Sequence, residues 1–200
     1  MGLDMYLEAE IHRTDPDPRA QAVFAEIDKH YPSGVPAGDD EDGSVSLYDP
    51  RYRPEETEKD PRIASIRQTV AEQFPVADSD NHWIGASFAQ NRVVLPLMYW
   101  RKANAIHGWF VAKVQDGIDE CQRAEVTREK LFELRKTIKC VEEHKDEAAL
   151  KLPPVEGFFF GSYDIDDYYW SDIARTREML DRIAEKGLTE QATIYYQSSW

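Results

Sequence analysis

Arg101, Lys102, Asn104 and His107 fall within one run, YWRKANAIHGWF from Tyr99 to Phe110, whose other members include two Trp, a Tyr and a Phe. A guanidinium or ammonium beside aromatic faces is a common arrangement for holding a phosphate while a flat base stacks. His107 adds a group that could serve as a base, a metal ligand or a polar contact. Its plainer reading is a buried histidine hydrogen-bonded to Asn104 one turn earlier or to a backbone carbonyl. Further along, Tyr168 falls off its own helix's core stripe, and Tyr195, Gln197 and Ser198 sit in the closing segment ATIYYQSSW. Together these residues suggest a ligand site in which Arg101 and Lys102 meet phosphate. Trp100, Tyr168 and Tyr195 would offer stacking faces, while Asn104, His107, Gln197 and Ser198 would read polar edges.

Two other chemistries are weighed beside this one. His107, Asp116, Asp119, Glu120 and Cys121 contain ligand-type side chains, so a metal-assisted hydrolase using His107 with Asp116 or Asp119 is an alternative. Their spacing matches no ligand pattern, and no metal or cofactor is expected. Cys121 has no nearby motif that would supply a partner base. The chain contains no Walker loop, no GxGxxG, no HExxH, no CxxC pair and no GxSxG elbow, so no standard catalytic signature points to an enzyme. In the segment GFFFGSYDIDDYYW, Asp164, Asp166 and Asp167 would occupy the first turn of a helix, where the helix dipole favours their charge. That end reads as a helix cap first and as a cation site second.

The elements that must position these groups are legible to different degrees. Leu3, Met5, Leu7, Ala9 and Ile11 alternate with polar residues, the pattern of a half-buried strand, and the C-terminal segment reads as a second strand able to pair with it. DPRAQAVFAEIDKHYP (17–32) and DPRIASIRQTVAEQFP (60–75) each open with a capping Asp and a Pro and stop at an aromatic-Pro pair, so both read as helices. Shared helix grammar is preferred to a duplication as the source of the likeness, since no further repeat is found. One short strand is expected between Trp83 and Leu97, with Pro96 at the entrance to a helix that includes Tyr99–Phe110. On that helix Tyr99, Ala103, Ile106, Phe110 and Val114 would face the core. Arg101, Ala105, Gly108 and Ala112 would form a small-residue back open to a close neighbour, such as a second subunit in a homo-oligomer. Gly117 suits a turn; Thr127 caps a helix with the stripe Leu131, Leu134, Ile138 and Val141. GFFFG reads as a short buried strand, and a last helix runs from about Ile165 to Lys186. The fold class expected is α+β, a small antiparallel-type sheet including both terminal strands packed with about five helices.

Length and charge bound the rest. Two hundred residues suit a single domain, with 33–60 as an acidic mobile loop insertion holding nine acids against three bases. A net charge of -14 argues against a surface that coats nucleic acid, because such binding is driven by cations neutralising phosphates. The Asp39–Asp42 run admits a third reading, an acidic inhibitor that mimics nucleic acid toward a nucleic-acid-binding protein. Two cysteines, the absence of a signal-peptide pattern and the lack of a membrane-length apolar run lead to an expected cytoplasmic location with no membrane partner.

MGLDMYL, YWRKANAIHGWFV, VQDGIDEC, GFFFGSYDIDDYYW and YYQSSW resemble an uncharacterised family of small proteins encoded mainly by bacteriophages and prophages. The resemblance covers both ends and roughly Tyr99–Ile183, and leaves the acidic segment outside it. It implies a bacterial host cytoplasm and an accessory role, such as sequestering a host nucleotide signal or inactivating a host protein, and brings no activity of its own.

Overall fold

β1 (Asp4–His12) buries the alternating face that its sequence announces: Met5, Leu7, Ala9 and Ile11 are all essentially inaccessible, as is Leu3 just before the strand. The structure is a computed structural model that describes residues 2–38, 43–47, 60–77, 86–157 and 160–200. The elements that follow β1 in these residues are α1 (Pro18–His30), β2 (Val45–Leu47), α2 (Pro61–Gln73), β3 (Ala86–Phe88), β4 (Arg92–Arg101) and α3 (Asn104–Val114). Then come β5 (Ala124–Glu125), α4 (Arg128–Glu143), a 3-10 turn at Lys145–Glu147, α5 (Ala148–Lys151), α6 (Asp167–Lys186) and β6 (Thr193–Ser199). The strands form one antiparallel sheet in the order β2-β3-β4-β1-β6-β5, so the two terminal strands are neighbours and the fold is α+β.

The chain divides into two compact units. One comprises Glu8–Leu97 and Lys186–Thr193. Its helices α1 and α2 follow the grammar of their sequences: the Asp17 and Asp60 carboxylates accept from the N–H of Arg19 and Arg62, each helix has Pro in its first turn, and each ends at an aromatic residue. Across this pair the Ser65 hydroxyl donates to Glu26 at 2.6 Å, and Lys29 and His30 approach the same carboxylate. The Ser65 bond first, then Lys29, pulls the Glu26 carboxyl down to about 2. Within residues 33–60, Val45–Leu47 is a strand paired with β3, so this segment is more than a loop; the Asp39–Asp42 run and residues 48–59 lie outside the described residues.

The other unit comprises Met1–Leu7, Met98–Glu185 and Ile194–Trp200. Thr127 caps α4, whose buried residues are Leu131, Leu134, Ile138 and Val141, and α6 buries Tyr169, Ile173, Met179, Leu180 and Ile183. Phe110 of α3 stacks on Tyr196 of β6 with ring centres 4.0 Å apart. β5 pairs with β6 through Ala124 and Glu125.

Three expectations are corrected. Tyr99, Trp100 and Arg101 are strand, and the helix begins at Asn104; Val93 and Val94 continue into one ten-residue strand that carries Pro96 inside it. The described pairs of β3 with β4 involve Val93 and Val94, so Pro96, which lacks an N–H to donate, lies beyond them. The proposed back of the helix is therefore not one surface: Arg101 is on β4, Ala105 is buried, and a Cβ on Gly108 would meet Val155 at 2.4 Å. The close neighbour that this glycine permits is a segment of the same chain. Finally, Gly157, Phe160 and Gly161 are not strand, while residues 158 and 159 lie outside the described residues.

Candidate functional site

The junction between β4 and α3 builds a site out of a change in backbone direction. Lys102 sits between strand and helix with φ +62°, a left-handed conformation that an L side chain adopts at a cost. Its neighbour across the junction is Gly161, φ +93°, whose missing Cβ would lie 3.1 Å from Lys102 Cβ. Ala103 stands at the N-cap of α3, where it offers no side-chain oxygen. Among the described residues no hydrogen bond is made to the N–H of Ala105 or Ile106, so the helix starts with free donors and the positive end of its dipole.

Ala105 and Ile106 are among the residues that line a cavity of about 560 Å³. Arg101, Lys102 and Asn104 line it from the junction, Gly161, Ser162, Asp164 and Asp166 from the segment before α6, and Tyr168, Ser171, Asp172 and Arg175 from α6. The Arg101 and Lys102 side chains are exposed and have no hydrogen-bond or ion-pair partner among the described residues. Asn104 is buried, and its Nδ2 donates to the carbonyls of Ser162 at 2.7 Å and Phe160 at 3.2 Å. Both amide hydrogens are thus spent fixing the loop, which leaves Oδ1 as the acceptor. Asp166 caps α6 by accepting from the N–H of Tyr169 at 3.0 Å. Burial pushes the Tyr169 hydroxyl up to about 12, and it donates to the carbonyl of Leu152.

Asp172 is the unusual group on the α6 wall. Its carboxylate is half-buried and has no hydrogen-bond or ion-pair partner among the described residues. Burial raises it to about 6, with Arg175 opposing the shift and Asp166 reinforcing it.

The remaining predicted residues lie elsewhere. Trp100 is fully buried and donates through Nε1 to the Thr176 hydroxyl at 2.8 Å, so its face is unavailable for stacking. His107 is 1% exposed; its Nδ1 is 2.7 Å from the Tyr196 hydroxyl and its Nε2 is 2.9 Å from Asp119. One assignment satisfies all three groups: Tyr196 donates to Nδ1 and Nε2–H donates to Asp119. Burial, then the charge of Asp119, hold the Tyr196 hydroxyl well above its ordinary value, which keeps its proton in place for that bond. Both ring nitrogens are therefore committed, to partners other than Asn104 or a backbone carbonyl. Among the described residues no group of three His, Cys, Asp or Glu is close enough to hold a metal. Tyr195 is covered by Arg123, whose guanidinium carbon lies 3.6 Å from the ring centre; Gln197 donates to the carbonyl of Cys121, and Ser198 is buried on the same face of β6 as Tyr196.

The cavity thus joins Arg101, Lys102, Asn104 and Tyr168 and leaves out Trp100, His107, Tyr195, Gln197 and Ser198. Sequence reasoning missed Asp172 and Arg175 as lining residues. The signal was present in their helical spacing, since Tyr168, Ser171, Asp172 and Arg175 recur along the flank of the stripe Tyr169, Ile173, Thr176. Comparison of the chain with protein families, with curated proteins and with solved structures finds no match.

Proposed function

We propose that this chain is a binding protein, of the accessory phage type that its motifs resemble, which holds a nucleotide-like small ligand in the cavity at the β4–α3 junction. The carrying observation is the coincidence of an uncapped helix N-terminus with two cations that have no partner among the described residues, Arg101 and Lys102, at the mouth of one cavity. Free N–H groups, a helix dipole and flanking cations are the elements of an anion site. The volume suits a ligand of mononucleotide size. Tyr168, 81% exposed at the rim, offers a ring on which a base can stack, and Asn104 Oδ1 and the hydroxyls of Ser162 and Ser171 supply polar contacts.

Asp164, Asp166 and Asp172 share the cavity with the cations. Their charge repels a polyanion, so the site suits one phosphate rather than three. Thermal-shift and calorimetric screening against mono-, di-, tri- and cyclic nucleotides tests the reading. Monophosphates or cyclic nucleotides should bind and triphosphates should bind least; a flat response across the panel removes the proposal.

A further inference from the structure

Resting on that reading of the cavity, we infer that the Asp172 carboxylate selects the ligand, by accepting a hydrogen bond from a donor on the molecule whose phosphate meets Arg101 and Lys102. The argument begins with placement. Asp172 lines the cavity from α6, opposite in charge to the junction residues, and its carboxylate is half-buried without a hydrogen-bond partner among the described residues. Solvent meets this carboxylate while the cavity is open, and a ligand that displaces the solvent leaves it unfavourably unpaired unless the ligand supplies a partner. An ionised carboxylate only accepts, so what supplies it must be a donor. A nucleotide has two kinds of donor, sugar hydroxyls and base N–H groups.

The surrounding charges make this selection sensitive to pH. On α6, Arg175 favours the ionised form; from the segment before α6, Asp164 and Asp166 bring like charge; from the junction, Arg101 and Lys102 bring opposite charge; α3 lines the cavity with Asn104, Ala105 and Ile106 and contributes no charge. In the free protein the carboxyl titrates at about 6 because burial disfavours its charge. A ligand donor stabilises the ionised form and lowers that value, so binding releases a proton near pH 6 and affinity falls as pH drops below 6.

The test is calorimetry of the full chain with adenosine and guanosine 5′-monophosphates and their 2′-deoxy forms. Titrations run between pH 5 and 8 in two buffers of different ionisation enthalpy. Because the phosphate itself titrates in this range, the readout is the difference in proton release between wild type and Asp172→Asn with the same nucleotide. Wild type should release more protons near pH 6 than Asp172→Asn, and the variant should bind about tenfold or more weakly at pH 7.5, the scale of a lost charge-assisted hydrogen bond. Weaker binding of the 2′-deoxy forms would assign the donor to the 2′-hydroxyl; equal binding of both sugars would assign it to the 3′-hydroxyl or the base. Nucleotide binding with equal proton release and equal affinity in the two proteins overturns this inference alone. Absence of nucleotide binding to wild type at every pH overturns the site with it.

Discussion

Asp172 shows what a half-buried carboxylate costs a fold. Its carboxyl is raised to about 6 in the fold from an ordinary value of 3.8, so ionising it opposes folding. The penalty is absent below about 3.8, grows as pH rises, and is complete above about 6. Allowing for its partial exposure, this amounts to on the order of 1–2 kcal/mol at neutral pH. Asp172→Asn should therefore raise Tm at pH 7.5 and leave it nearly unchanged at pH 3.5; an equal change at both pH values would contradict the assignment. His107 shows the opposite case. Its nitrogens are both satisfied within the fold, by Tyr196 and Asp119, so its polarity is explained by packing around Phe110 and Tyr196 rather than by a ligand.

At the scale of elements, local grammar was readable where one signal acted alone. The Asp-Pro starts of α1 and α2, the Thr127 cap and the stripe of α4, and the alternation of β1 are each written in a few adjacent residues. The β4–α3 junction was not, because helical and strand periods overlap there. Tyr99–Phe110 fits a helical wheel, while Val93–Trp100 is an apolar run buried deeply enough to hide its strand period. Arg101 and Lys102 line the cavity because the shift of the helix start leaves them just before its N-terminus rather than away from it. Two predictions belong here. Gly108→Ala would gain about 1 kcal/mol of intrinsic helix preference. The 2.4 Å approach of the new Cβ to Val155 should outweigh that gain, giving a net loss of about 1–3 kcal/mol. Val155→Ala in the same chain should recover part of the loss in Tm; a gain in stability from Gly108→Ala alone would show that the face is open. For α1 and α2, the Glu26 carboxyl is lowered to about 2 by Ser65 and Lys29, so the stability it contributes is present above about 4.5 and lost as pH falls through 2. Ser65→Ala should cost about 1 kcal/mol at pH 6 and should flatten the acid-side fall in Tm. An unaltered acid profile would assign the loss to other carboxylates.

Across the whole molecule, the charge and the site pull in opposite directions. A chain with net charge -14 repels polyanions, and no helix among its described residues is long and apolar enough to cross a membrane. Among the described residues Arg101 and Lys102, two cations without a hydrogen-bond or ion-pair partner, stand together at one helix start, so an anion should be held there locally. The most direct measurement is titration of 5′-mononucleotides into wild type and into an Arg101→Ala, Lys102→Ala double variant, both checked for equal Tm. The account predicts saturable binding to wild type that weakens tenfold or more in the double variant and with rising salt. Equal binding to the two proteins, or none to wild type, would contradict it.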